Sequence, residues 1–424
     1  MAPPLPPAVV RLLPCGCFYG WVIAAVLTGC QCVSHIGSLH LITLSVARIY
    51  ATFETELGVE PSASASLWMV GCGMAAVLTP WYGRAIDKWG GRICVPAALF
   101  TMAVGNLILT QITSRSTVPL FAAVVFILRS SAMGTLTPYT NTILSQWFFR
   151  RRGLAISVVE MVSMSLSTFV FAQLWQHGLD TIGWRATHGI SALCAAAFVL
   201  PAGLLIYHTP ESVGLLPDGA APGDEASEGE DAALLSPQAE GQKPEAHAAA
   251  QRSVPYSFTR AEALRTASLY ILVVDKMIAT TVGVSCGSFL LLTMQENNAV
   301  DVSIATHVMI PCARPAAIFA FLRSARECAC AGTGGIMQAG LPLLTGVLRD
   351  RGVEPRWLVG LASWQISLCA FLITRIRGPL GAVLYGLNFG SVWGVKMTTT
   401  AMTYADFYGR NHLGAITSVD VTTQ

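Results

Sequence analysis

Gly83-Arg84-Ala85-Ile86-Asp87-Lys88-Trp89-Gly90-Gly91-Arg92 is the stretch on which the reading of the fold turns. Its first six residues are echoed by Gly346-Val347-Leu348-Arg349-Asp350-Arg351, so G-x-x-x-D-[RK] occurs once in each half of the chain. A second landmark follows each copy: Arg152-Gly153-Leu154-Ala155-Ile156 after the first, and His412-Leu413-Gly414-Ala415-Ile416 after the second. About 66 positions separate Asp87 from Gly153, and about 64 separate Asp350 from Gly414. Matched landmarks at matched spacing mark an internal repeat.

Around these landmarks the chain is apolar. Of its 424 residues 53% are hydrophobic and only 12% are charged, against about 25% charged in a soluble domain. The charges sit in short clusters between long apolar runs, the pattern of a chain whose outer solvent is lipid. A net charge of +2 says little about partners, and no basic tract points to nucleic acid, so none is expected. The twelve cysteines are scattered, mostly inside apolar runs, with no second pair or histidine group at zinc spacing, so neither a metal nor a disulfide framework is expected. There is no P-loop, G-x-S-x-G or His-Glu-x-x-His pattern. The chain therefore reads as a non-enzyme without a cofactor, driven by a solute or proton gradient.

A bilayer span takes about 20 apolar residues. Runs of that kind lie near residues 18–44, 66–82, 93–112, 118–139, 154–175 and 186–207. Residues 208–266 follow, a Pro-, Gly- and acid-rich segment that cannot bury enough apolar surface to fold and reads as a disordered linker. Apolar runs resume near 268–294, 303–322, 334–348, 357–374 and 378–402. The expected organisation is a terminal segment (1–17), a six-helix half (18–207), the linker (208–266) and an incomplete second half (267–424). Alternate short loops collect the basic residues, from Arg84, Lys88 and Arg92 through Arg150–Arg152 to Arg349, Arg351, Arg356 and Arg410. That side, with the N-terminus and the linker, is expected in the cytosol.

Six helices, a linker and a second set with the repeated G-x-x-x-D-[RK] loop resemble the major facilitator superfamily. The resemblance implies an all-α membrane protein, a bundle of two six-helix halves. It also implies a conformational latch at Gly83, Asp87, Lys88, Gly90 and Arg92, repeated at Gly346, Asp350 and Arg351. Further stretches are similar to the monocarboxylate porters and oxalate/formate exchangers: Phe18-Tyr19-Gly20-Trp21-Val22-Ile23, Trp147-Phe148-Phe149-Arg150-Arg151-Arg152-Gly153-Leu154-Ala155, Gly183-Trp184-Arg185, and Pro210-Glu211-Ser212-Val213-Gly214-Leu215-Leu216-Pro217-Asp218-Gly219. Two departures stand out. Residues 303–350 hold roughly 20 more residues than one span and its loop require. The sequence also stops where an eleventh helix would begin, so the bundle is expected to be truncated after ten or eleven helices.

An ionisable side chain inside a span costs about 2.5–3.5 kcal/mol on insertion scales and therefore tends to face the bundle interior. The candidates are His35, His40, Arg129, Glu160, Asp275, Lys276, Arg314 and Lys396. Arg129 resembles the arginine of a second family signature and is expected to hold a substrate carboxylate or to pair with Glu160. Ala313-Arg314-Pro315 is similar to the eighth-helix Arg-Pro of the porters, which implies carboxylate binding, although Ile310 stands where they carry a proton-coupling aspartate. Asp275 and Lys276 point about 100° apart on a helix, so one is expected at the cavity and the other against a neighbouring helix. Lys396 is expected to snorkel to the interface, with the cavity as the alternative. His40, near the porters' first-helix lysine, and His35 are candidate proton carriers or buried structural histidines.

These readings converge on a secondary active or facilitative transporter, a symporter or antiporter, whose partners are the lipid bilayer, a small organic anion and protons. A neutral solute such as a sugar or amino acid is the alternative if the cations pair internally. A non-transporting or decayed membrane protein is the reading from another class.

Overall fold

The computed structural model describes residues 18–37, 42–219, 257–296, 333–375, 378–409 and 412–421. Among them there is no β-strand. Before the central segment come α1 (Tyr19–Gly37), α2 (Ile42–Leu57), α3 (Pro61–Trp89), α4 (Gly91–Thr110), α5 (Leu120–Trp147), α6 (152–181) and α7 (Gly183–Leu205). After it come α8 (Ala267–Glu296), α9 (Thr333–Asp350), α10 (Pro355–Ile373), α11 (Gly378–Tyr408) and α12 (Leu413–Val421). Residues 303–322, Arg314 and His40 lie outside the described residues.

Six of the described helices, α1, α3, α4, α5, α7 and α10, are long and apolar enough to cross a bilayer. Their outer faces expose Met69, Val77, Phe100, Leu193, Leu200 and Trp364. So much exposed apolar surface suits lipid rather than water. The chain is an integral, multi-pass membrane protein.

Residues 42–57, expected as the tail of the first span and a loop, are helical instead. Ile49 and Phe53 fall four apart on one face and are fully buried, while Glu54 and Glu56 stay exposed. Phe53 meets Phe121 of α5 edge-on, with ring centres 5.4 Å apart.

Each of two helices contains a wide π turn, at Ala132–Leu136 in α5 and Ser167–Phe171 in α6. In α5 the hydroxyl of Thr135 donates to the carbonyl of Ser130, five residues back, at 2.9 Å. Such turns re-aim the residues that follow, here Thr137 to Thr142.

At the end of the first half that carries the G-x-x-x-D loop, three distant stretches meet. Phe18 and Tyr19 pack on Trp147 with ring centres 5.8 and 5.7 Å away. The Trp147 indole donates to the Tyr207 carbonyl at 2.9 Å, and the Tyr19 hydroxyl donates to the Leu205 carbonyl at 2.9 Å. The segment expected as a linker from residue 208 is folded at both described ends. Pro210–Val213 forms a 3-10 turn with its proline at the start of the helix, and Pro217–Gly219 a tight turn with a left-handed Asp218. At its other end, Thr259 and Glu262 cap the short helix Arg260–Ala263 reciprocally.

Candidate functional site

The halves touch where α3 packs on α12 and α6 packs on α9. Both crossings are glycine contacts. A Cβ on Gly83 would overlap the Gly414 carbonyl, and one on Gly346 would overlap the Gly153 carbonyl. Removing both Cβ atoms lets the backbones approach. Beside each crossing an aspartate caps the helix of the other half. Asp87 accepts from the Gly414 and Ala415 amides at 3.2 and 2.8 Å. Asp350 accepts from the Gly153 and Leu154 amides at 2.9 and 2.8 Å. The first amides of a helix have no partner within it and carry its positive pole, so a carboxylate is the natural acceptor there.

The repeat is thus crossed: the aspartate of each copy meets the glycine helix of the other half. Beside Asp350 lies an ionic cluster that the sequence reading missed. Asp406, at the end of α11, accepts from Arg349 at 2.8 Å (Nε) and 2.7 Å (Nη2) and pairs with Arg152 of the first half. Asp406 is the sole acidic residue in the sequence of α11, the one signal that marks it.

Other members of the motif stay within their own surroundings. Gly90 has φ +75° and forms the turn between α3 and α4, a conformation open to glycine. Arg92 donates to the Gly203 carbonyl at 3.1 Å and stacks over Tyr207, tying α4 to α7. Lys88 lies over Trp89, and Arg351 is exposed. Among the described residues, none of these three basic side chains reaches the other half.

Between the halves lies a cavity lined by Gln31 and His35 of α1, Thr137, Asn141 and Thr142 of α5, and Glu160 of α6. Lys276 of α8, Thr400 and Tyr404 of α11 and Thr417 of α12 line its other side. Glu160 and Lys276 are both buried, and the lysine's charge acts on the carboxyl from across the boundary between halves.

Asp275 points away from this cavity. Its carboxylate accepts from Ser363 and pairs with Lys396 of α11. Lys396 is therefore buried and paired, not snorkelling to an interface, because an acidic partner one helix away removes the need to reach water. Lys396 and Lys276 flank a smaller adjoining pocket with Trp393. Arg129 lies beside Cys72 of α3 and outside the residues lining the cavity. Among the described residues it does not pair with Glu160; the cation whose charge acts on that carboxyl is Lys276. Cys30, Cys32, Cys94, Cys286 and Cys369 are buried and free.

Comparison with known proteins agrees with this architecture. The bovine (Bos taurus) protein named monocarboxylate transporter 13 is 30% identical over 149 residues, 34% of this chain and 34% of that protein. The aligned region thus spans about a third of that relative's length. The solved structure of the proton:xylose symporter XylE superposes with a TM-score of 0.60 at 14% identity, covering 96% of this chain and 86% of that one. At that identity the likeness speaks for the fold. The family model of the Major Facilitator Superfamily matches residues 27–424, and the chain belongs to that superfamily.

Proposed function

We propose that the chain carries a small organic anion, of the monocarboxylate class, through the cavity by alternating access. The observation that carries this reading is that Lys276 and Glu160, one from each half, both line the cavity, near enough for the lysine's charge to act on the carboxyl. A buried cation must be balanced, and a buried carboxylate likewise. When Glu160 takes up a proton, Lys276 becomes available to a substrate carboxylate, so anion and proton would move together without leaving a net buried charge. His35, on the same wall, is the second candidate proton carrier. The partial likeness to a protein named a monocarboxylate transporter supports the class. In this reading the G-x-x-x-D loops face the cytosol, and their engaged contacts hold that side closed.

A neutral solute is the second reading. Thr137, Asn141, Thr142, Thr400 and Thr417 give the cavity a hydroxyl- and amide-rich wall suited to a polyol.

Uptake into proteoliposomes of lactate, pyruvate, oxalate, sugars and amino acids, with and without a pH gradient, tests both. For an anion, Lys276→Gln should lower uptake at least about tenfold, the loss of one charge-assisted hydrogen bond. Glu160→Gln should abolish stimulation by the pH gradient. Sugar uptake indifferent to Lys276→Gln would replace the anion with the neutral solute.

A further inference from the structure

Asp218 is the one non-glycine residue among those described with a left-handed backbone, at φ +56°. Such a conformation is costly outside glycine and persists where surrounding contacts enforce it. Here the enforcing contacts are visible. The Asp218 carboxylate accepts from three consecutive amides, Phe149 and Arg150 at 2.8 and 2.6 Å and Arg151 at 3.4 Å. Those amides form the turn between α5 and α6. From the other side, Gly219 abuts Phe18, whose ring packs on Trp147 and Phe148 at the entrance to the same turn.

Immediately after this turn α6 begins, without a side-chain cap of its own. Its first residues are the ones the other half grips: Arg152 pairs with Asp406, and the Gly153 and Leu154 amides donate to Asp350. We infer that Asp218 is a positioning residue for this inter-half contact. It fixes the turn so that the start of α6 presents its amides and its arginine to Asp350 and Asp406. Without the carboxylate, three amides lose their acceptor together, the turn relaxes into water, and the Asp350 contact loses its registry. The role of that contact in transport rests on the proposed function, but the coupling between the two aspartates does not.

A double-mutant cycle on the detergent-solubilised full chain tests it, read as the unfolding midpoint by tryptophan fluorescence. Asp218→Gly suits the test because glycine keeps the left-handed backbone and removes only the acceptor. In the parent, Asp350→Asn should lower the midpoint by about 2 °C. In the Asp218→Gly background the same substitution should cost less than half as much, since its contact is already loosened. Asp87→Asn, at the other crossing, should cost the same in both backgrounds. Asp218→Asn, which keeps a neutral acceptor, should fall between aspartate and glycine, and it supplies the cycle if the glycine variant does not fold. An Asp350→Asn shift that is equal in both backgrounds would overturn the inference. Absence of uptake for every solute would sink the transport reading and leave this coupling intact.

Discussion

Around Asp87 the flanking positions hold Ile86 and Leu413, both buried, whereas around Asp350 the corresponding positions hold Arg349 and Arg152. The backbone of the two crossings is alike: two glycines in contact and one carboxylate on two amides. Their flanks differ: Ile86 and Leu413 are apolar, with His412 near the Asp87 carboxylate, while at Asp350 two arginines are closed by Asp406. The difference separates what the repeat requires from what it tolerates. Close approach and helix capping are required at both sites. The filling around them is exchangeable, because a well-packed apolar group and a fully paired ion cluster of similar volume differ little in stability. They differ in fragility, since removing one member of the cluster strands the others.

The sharpest way to break the comparison is Asp406→Asn. It takes the Asp406 carboxylate from Arg152 and Arg349, leaving Asp350 as the acid beside them, and should cost about 3 kcal/mol, measured by chemical unfolding in detergent. An unchanged unfolding free energy would show that the cluster is balanced elsewhere. Next in size are Gly83→Ala and Gly346→Ala, each of which drives a methyl into the opposing backbone. Both should cost about 2 kcal/mol, by equal amounts if the two crossings share their backbone requirement. Unequal losses would mean that one crossing bears most of the contact between halves. Smallest is the transplant of the Asp87 site's neighbours into the ionic site, Arg152→Leu with Arg349→Ile and Asp406→Ser, the last after Ser145, which stands eight positions before Gly153 as Asp406 does before Gly414. Its stability should stay within about 1 kcal/mol of the parent, with its dependence on salt reduced.

Much of this architecture can be read from the residues because its physical causes repeat. The scarcity of charge in apolar runs gives the spans, and the glycine and aspartate spacing gives the duplication. Which copy meets which cannot be read that way: equal spacing within each half is equally compatible with self-contained contacts, and only the folded chain shows them crossed. Lys276 and Glu160 stand out as charges in apolar surroundings, but that both line one cavity depends on how the two halves come together. Lys396 was misread for the same reason, since its partner Asp275 lies 121 positions away. Asp218 sat in a segment whose composition resembles a linker, and its hold on the 149–151 amides leaves no mark in composition.

One consequence follows from the crossing. Each half contributes an acidic residue that reaches out and a glycine-started helix that receives, so donor and recipient sides occur together on both. That is how the partners of a two-fold symmetric dimer bind, where patch i of one copy meets patch j of the other and the reverse holds as well. An ancestral half with both patches would pair with its own twin, using a single sequence twice. In the joined chain the shared glycine and aspartate are kept at both seams, while their neighbours differ, Ile86 and Leu413 at one and Arg349 and Arg152 at the other.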